Sequence, residues 1–130
     1  MLKRFLVMLL VGIILVIPIT TINAKTINEA DTELSETLKM ALISSNRNPV
    51  DKAITEIYKD DKKAQKLGLS WASWGTEILK IKQVYGIGGL YQITLKVYPY
   101  YGAHNGYGED EVEINTNGEL ISYKHIKTYP

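Results

Sequence analysis

The chain contains no cysteine. That excludes disulfide stapling, thiol catalysis, thiolate metal centres and lipid attachment through an N-terminal cysteine, so packing alone must hold the fold. Histidine is nearly absent: His104 and His125 are the two in 130 residues. They stand 21 residues apart, and no H-x-x-x-H or spaced-carboxylate loop accompanies them, so no metal or cofactor is expected. No G-x-S-x-G elbow is present, and Ser70 and Ser73 have no identifiable base. Charge of one sign is lacking as well. The whole chain carries +1; without Lys3 and Arg4 the remainder has 13 basic and 14 acidic residues. With such a balance no strong net field steers the chain to nucleic acid or to an anionic membrane. Phenylalanine occurs once, at Phe5, whereas there are nine tyrosines and two tryptophans. Tyrosine suits strand positions and half-wet contact surfaces, with an apolar body and a polar tip.

What is present begins at the N-terminus. Lys3 and Arg4 precede an apolar run from Phe5 to Ile17, Pro18 ends it, and Thr20-Thr21-Ile22-Asn23-Ala24 leads to Lys25. This is the order of a secretory signal peptide over residues 1–24, with cleavage between Ala24 and Lys25. Crossing a bilayer takes about 20 apolar residues, more than this run supplies before Pro18. Retention of the segment would instead make it a tether, the one route by which a membrane becomes a partner.

Residues 25–130 have the length of one domain. Thr26 and Glu29 have capping-box spacing, and Ile27, Ala30, Leu34, Leu38, Ala41 and Leu42 recur at helical intervals. A turn at Ser44-Ser45-Asn46 separates this helix from a second one. Asn48 is placed to cap that helix, Pro49 to open it, and Val50, Ala53, Ile54, Ile57 and Tyr58 to form its stripe. Lys59-Asp-Asp-Lys-Lys63 reads as a solvated helix end, and Trp71 and Trp74 as a core plug or an exposed aromatic pair.

From Gly75 the period changes to two. Ile78–Ile81 begins a strand, Gly86-Ile-Gly-Gly89 is a turn, and Tyr91, Ile93, Leu95 and Val97 alternate with polar residues. Val112 and Ile114 alternate with Glu111 and Glu113. Asn117-Gly118 supplies two positive-φ residues for a hairpin, and Leu120–Lys127 is the last strand. Helices over about 27–60 followed by a sheet over about 75–128 predict an α+β domain: two N-terminal helices packed on a curved four-stranded antiparallel meander. Glu109, Glu111 and Glu113 share a strand face, where lysines across the sheet would meet them.

The segment Tyr98–Asp110 concentrates four tyrosines, three glycines, His104 and Asn105. Tyr100, Tyr101, His104, Asn105 and Tyr107 form the candidate binding loop, with His104 or Asn105 expected to bond loop backbone. Aromatic faces suit a cell-wall glycan or a peptide. The competing reading is a small extracellular hydrolase with His104 as base, oriented by Asp110 or Glu109.

The second half of the chain resembles the secreted family called domain of unknown function 3888, from Gram-positive spore formers. Members carry a loop Gly-Pro-His-Asn-Pro-Pro-Tyr-Gly before an acidic-apolar strand. Gly102, His104, Asn105, Tyr107 and Gly108 match it, while the prolines are missing and the loop is one residue shorter. The resemblance implies an extracellular domain with helices before the sheet; it implies no activity.

Overall fold

The structure, a computed structural model, describes residues 29–130, and their side chains from residue 33 onward. The leader, its Ala24–Lys25 junction and the Thr26 cap lie outside these residues. Three helices precede the sheet: α1 (Glu29–Ser45), α2 (Arg47–Ile57) and α3 (Lys62–Leu67). A 3₁₀ turn at Ser73–Gly75 leads into β1 (Glu77–Gln83) and β2 (Tyr91–Val97). A small hairpin follows, β3 (Tyr100–Tyr101) and β4 (Asn105–Gly106), then β5 (Gly108–Asn115) and β6 (Leu120–Thr128). The four long strands form an antiparallel sheet in the order β1-β2-β5-β6, the expected meander, and β3-β4 is a separate two-stranded excursion.

Alternation decides the two faces of the sheet. Ile93, Leu95 and Val97 of β2 and Val112 and Ile114 of β5 are buried, and they join Val50, Ala53, Ile54 and Tyr58 of α2 in one core. The stripe on α2 is the one its spacing predicts, and α2 lies against β5 and β6. On the opposite face, Lys96 stands beside Glu111, which stands beside Lys124. Glu109 is bonded by Lys96 at 2.9 Å and Lys127 at 3.0 Å, so the acidic strand face does pair with lysines.

Several local expectations are corrected. Helix α2 begins at Arg47, two residues earlier than Asn48-Pro49 suggests, and Asn46 stands at its cap. The Asn46 amide donates to Leu42 O at 2.9 Å, closing the end of α1 rather than capping α2. The charge run does not simply fray. Asp61 accepts from Ala64 N–H at 3.0 Å, and this cap starts α3, which Gly68 ends in the left-handed region. Leu34 and Leu38, read as core positions, are exposed, while Ile43 carries the burial of α1. In the last hairpin Gly118 alone takes a positive φ, 82°; Asn115 Oδ1 does the rest of the turn by accepting from Asn117 and Glu119 N–H, both at 3.0 Å. The tryptophans divide. Trp71 is buried, donates to Asp51 Oδ1 at 2.6 Å and lies under the Arg47 guanidinium, whereas Trp74 is 64% exposed.

Candidate functional site

Pro99 interrupts the alternation of β2 and sends the chain out of the sheet. It has no N–H for the ladder, but its carbonyl accepts from Tyr107 N–H at 2.8 Å. Between these two residues the β3-β4 hairpin pairs Tyr100 with Gly106 and Tyr101 with Asn105. Tyr100 is also tied to Ser70, N–H to O in both directions at 2.8 Å, which fixes the hairpin to the segment that carries both tryptophans. The tip turns through Gly102 at φ 55° and His104 at φ 62°, the latter a left-handed conformation seldom adopted with a side chain.

This geometry splits the candidate loop in two. Tyr100 and His104 face a hollow of about 270 Å³, lined also by Ala72, Trp74, Gly75, Tyr98 and Gly106. The His104 ring lies 5.5 Å from that of Trp74 and 4.7 Å from that of Tyr100. Tyr98 donates to Glu77 Oε1 at 2.5 Å; that carboxylate pushes the Tyr98 hydroxyl up from its ordinary range. Tyr107 turns the other way. It is buried, donates to Asp61 Oδ2 at 2.7 Å and meets Tyr58 and Tyr101 edge-on. The Asp61 bond raises the Tyr107 hydroxyl to about 12. Tyr101 is half-buried against the core, and Asn105 is exposed at the hairpin tip.

Neither His104 nor Asn105 bonds loop backbone through its side chain among the hydrogen bonds of the described residues, contrary to expectation; ring contacts hold His104 instead. The carboxylates named as its partners are engaged elsewhere. Glu109 accepts from Lys96, Lys127 and, at 2.8 Å, Tyr129, and these bonds hold its carboxyl down at about 2. Asp110 is fully buried, accepting from Tyr58 Oη at 2.8 Å and facing His125 Nδ1 at 2.6 Å. The hydrolase reading through His104 therefore loses its orienting acid.

The Asp110 cluster was not visible in the sequence. His125 Nε2 continues to Thr128 Oγ1 at 3.0 Å, giving a chain Tyr58–Asp110–His125–Thr128 that joins α2, β5 and β6. Burial raises the Asp110 carboxyl, while the His125 and Tyr58 bonds oppose that shift. Burial and the Asp110 carboxylate together push the Tyr58 hydroxyl up. The one available signal was an acid, Asp110, in step with Val112 and Ile114 on the inward face of β5. A buried acid requires partners. Among the described residues no group of three or more His, Cys, Asp or Glu side chains could hold a metal ion.

Fold and site thus define a small α+β domain whose irregular hairpin, clipped to the tryptophan segment, forms an aromatic hollow at one end of the sheet. The chain belongs to the family of proteins of unknown function DUF3888, which matches residues 38–127 and so leaves out residues 1–37 and 128–130. No curated protein and no solved structure matches the chain.

Proposed function

We propose that the chain is an exported, non-enzymatic binding domain of a Gram-positive cell that takes a neutral sugar ring of a cell-wall glycan in the hollow between Trp74, Tyr100 and His104. The observation that carries this reading is Trp74. A large apolar ring left 64% exposed, beside a second ring system and a concave surface, has no role in the core. At about 270 Å³ the hollow lies just below the range of drug-sized sites, about 300–1,000 Å³, and suits one sugar ring or one side chain. Export is supported by the leader over residues 1–24 and its Ala24–Lys25 junction. The mass of the protein recovered from culture medium tests it: a species beginning at Lys25 supports release, and full-length protein confined to membranes supports a tethered accessory domain.

Retention on purified cell wall tests the hollow. Trp74→Ala and Tyr100→Ala should each weaken it about fivefold, from about 1 kcal/mol per ring contact. Tyr101→Phe, which touches the core side of the hairpin, should leave it unchanged. Equal retention of all four proteins refutes the hollow as the binding site. Retention lost to competing peptide but not to competing glycan would keep the site and change the ligand.

A further inference from the structure

The opposite end of β2 carries a second feature, independent of the aromatic hollow. β1 and β2 are joined by a closed turn in which Val84 N–H bonds to Leu90 O at 2.7 Å and Gly89 N–H to Gly86 O at 2.8 Å. Gly88 takes φ 76°, the conformation that position three of a type II turn requires, and a side chain on Gly89 would strike Tyr85 O at 2.5 Å. The turn is therefore set by its glycines, and it presents Ile87 fully to solvent, with Tyr85 67% exposed and Val84 beside it. Nothing in the described fold covers these side chains. No charged residue occurs from Gln83 to Leu95. The nearest charges along β1 are Lys80 and Lys82, two residues apart on one strand face, both exposed. Their neighbours across the sheet, Thr94 and Gln92, are neutral. The nearest acid on this face, Glu113, stands one strand further across beside Thr94, and neither Lys80 nor Lys82 forms an ion pair among the described residues.

A prearranged apolar tip, a tyrosine at its shoulder and two exposed lysines without ion pairs behind it match the layering of an anionic lipid surface: hydrocarbon, interface, headgroup. A second copy of the chain fits the same strand less well. Antiparallel self-pairing of β1 centred on Lys80 would set Lys80 against its own copy, and like charges directly opposite destabilise a pair. We infer that the β1-β2 tip, through Val84, Tyr85 and Ile87 with Lys80 and Lys82 behind them, docks shallowly into an anionic bilayer and holds the aromatic hollow at the far end of β2 away from it. No helix among the described residues is long and apolar enough to cross a membrane, so this contact is one of surface docking.

The absence of cysteine makes a local test possible in the full chain. Ile87→Cys carrying an environment-sensitive fluorophore reports the tip, and Thr55→Cys on α2 with the same label reports a surface away from it. Vesicles of phosphatidylglycerol and phosphatidylcholine, and of phosphatidylcholine alone, carry bromine on their acyl chains. The label at position 87 should shift to the blue and be quenched on the anionic vesicles only, and the label at 55 on neither. Replacing Lys80 and Lys82 by Ala should raise the lipid needed for half-quenching about 25-fold, about fivefold per lysine. A label at 87 that stays in water while the protein sediments with vesicles would assign binding to the N-terminal apolar segment and overturn the inference. Equal quenching on neutral vesicles would overturn it too. So would a blue shift in buffer that grows with protein concentration, which would mark a contact between copies.

Discussion

Asp110 offers the sharpest test of how this fold is held together. The side chain is fully buried and satisfied by two partners from two other elements, Tyr58 at 2.8 Å and His125 at 2.6 Å. Replacement by Ala removes both bonds and leaves the Tyr58 hydroxyl and a His125 nitrogen facing a small void. Leaving the buried Tyr58 hydroxyl unpaired beside a void costs about 3 kcal/mol. A domain of this size has about 5–15 kcal/mol in total. Asn is a different perturbation. Its carbonyl can accept from Tyr58, and its amide can donate to His125 Nδ1 in the tautomer that carries its hydrogen on Nε2, which faces Thr128. It also removes the burial of a charge, the cause that raises the Asp110 carboxyl. Asp110→Asn should therefore cost about 1 kcal/mol or less, the scale of one exchanged hydrogen bond. Urea unfolding at neutral pH separates the two. With a slope of about 1.5 kcal/mol per molar, Asp110→Ala should lower the midpoint by about 2 M or more and Asp110→Asn by well under 1 M. Equal shifts for both variants would refute the reasoning, because Asn keeps the shape of Asp and can remake both bonds, so an equal loss would mean that the carboxylate charge itself is what Asp110 contributes.

Three further outcomes follow from neighbouring residues. A side chain at position 108 would meet Tyr58 Oη and Lys127 O, each at 2.6 Å. Gly108→Ala should thus cost about 2 kcal/mol and lower the thermal midpoint by about 10 °C; an unchanged midpoint would show that Tyr58 moves without penalty. The folded Glu109 carboxyl is depressed from 4.5 to about 2, first by Lys96 and then by Lys127 and Tyr129, so its contribution is complete above pH 4.5 and lost as the pH falls through 2. Burial raises Asp110, so that group acts in the opposite sense, its protonation favouring the fold as the pH falls. Glu109→Gln should flatten the acid-induced drop in urea midpoint over that window, and curves that stay parallel to wild type would contradict this. His104 occupies φ 62°, so His104→Gly should change stability by less than about 1 kcal/mol, relief of left-handed strain offsetting the extra freedom of the unfolded chain. The same variant should alter the fluorescence of Trp74, whose ring it no longer meets.

The loop has none of the three prolines of the pattern it resembles: Ala103 stands in place of the first and Gly106 in place of the other two. Without them the segment closes as a two-stranded hairpin, Tyr100–Tyr101 against Asn105–Gly106, in which both residues of β4 pair through backbone.

The sequence by itself determined what is local. Period-two alternation marked β2 and the inward residues of β5, and helical spacing marked the buried stripe of α2, because backbone geometry alone sends alternate or every third and fourth side chain to one face. It also carried the family, through a short run of residues around His104. The tertiary structure decided what depends on register and on packing between distant segments. In β6, Ile121 and Ile126 fall at register shifts; the first sets His125 opposite Asp110, and the second turns Thr128 to the same network. No spacing rule in a single strand reveals such a shift, since an extra residue changes every later pairing while leaving composition untouched. The same holds for the tyrosines: Tyr100 opens onto the hollow and Tyr107 seals the core, although both read as members of one loop. Their difference comes from Pro99 and Ser70, which fix the hairpin's orientation through backbone bonds that have no signature in side-chain pattern.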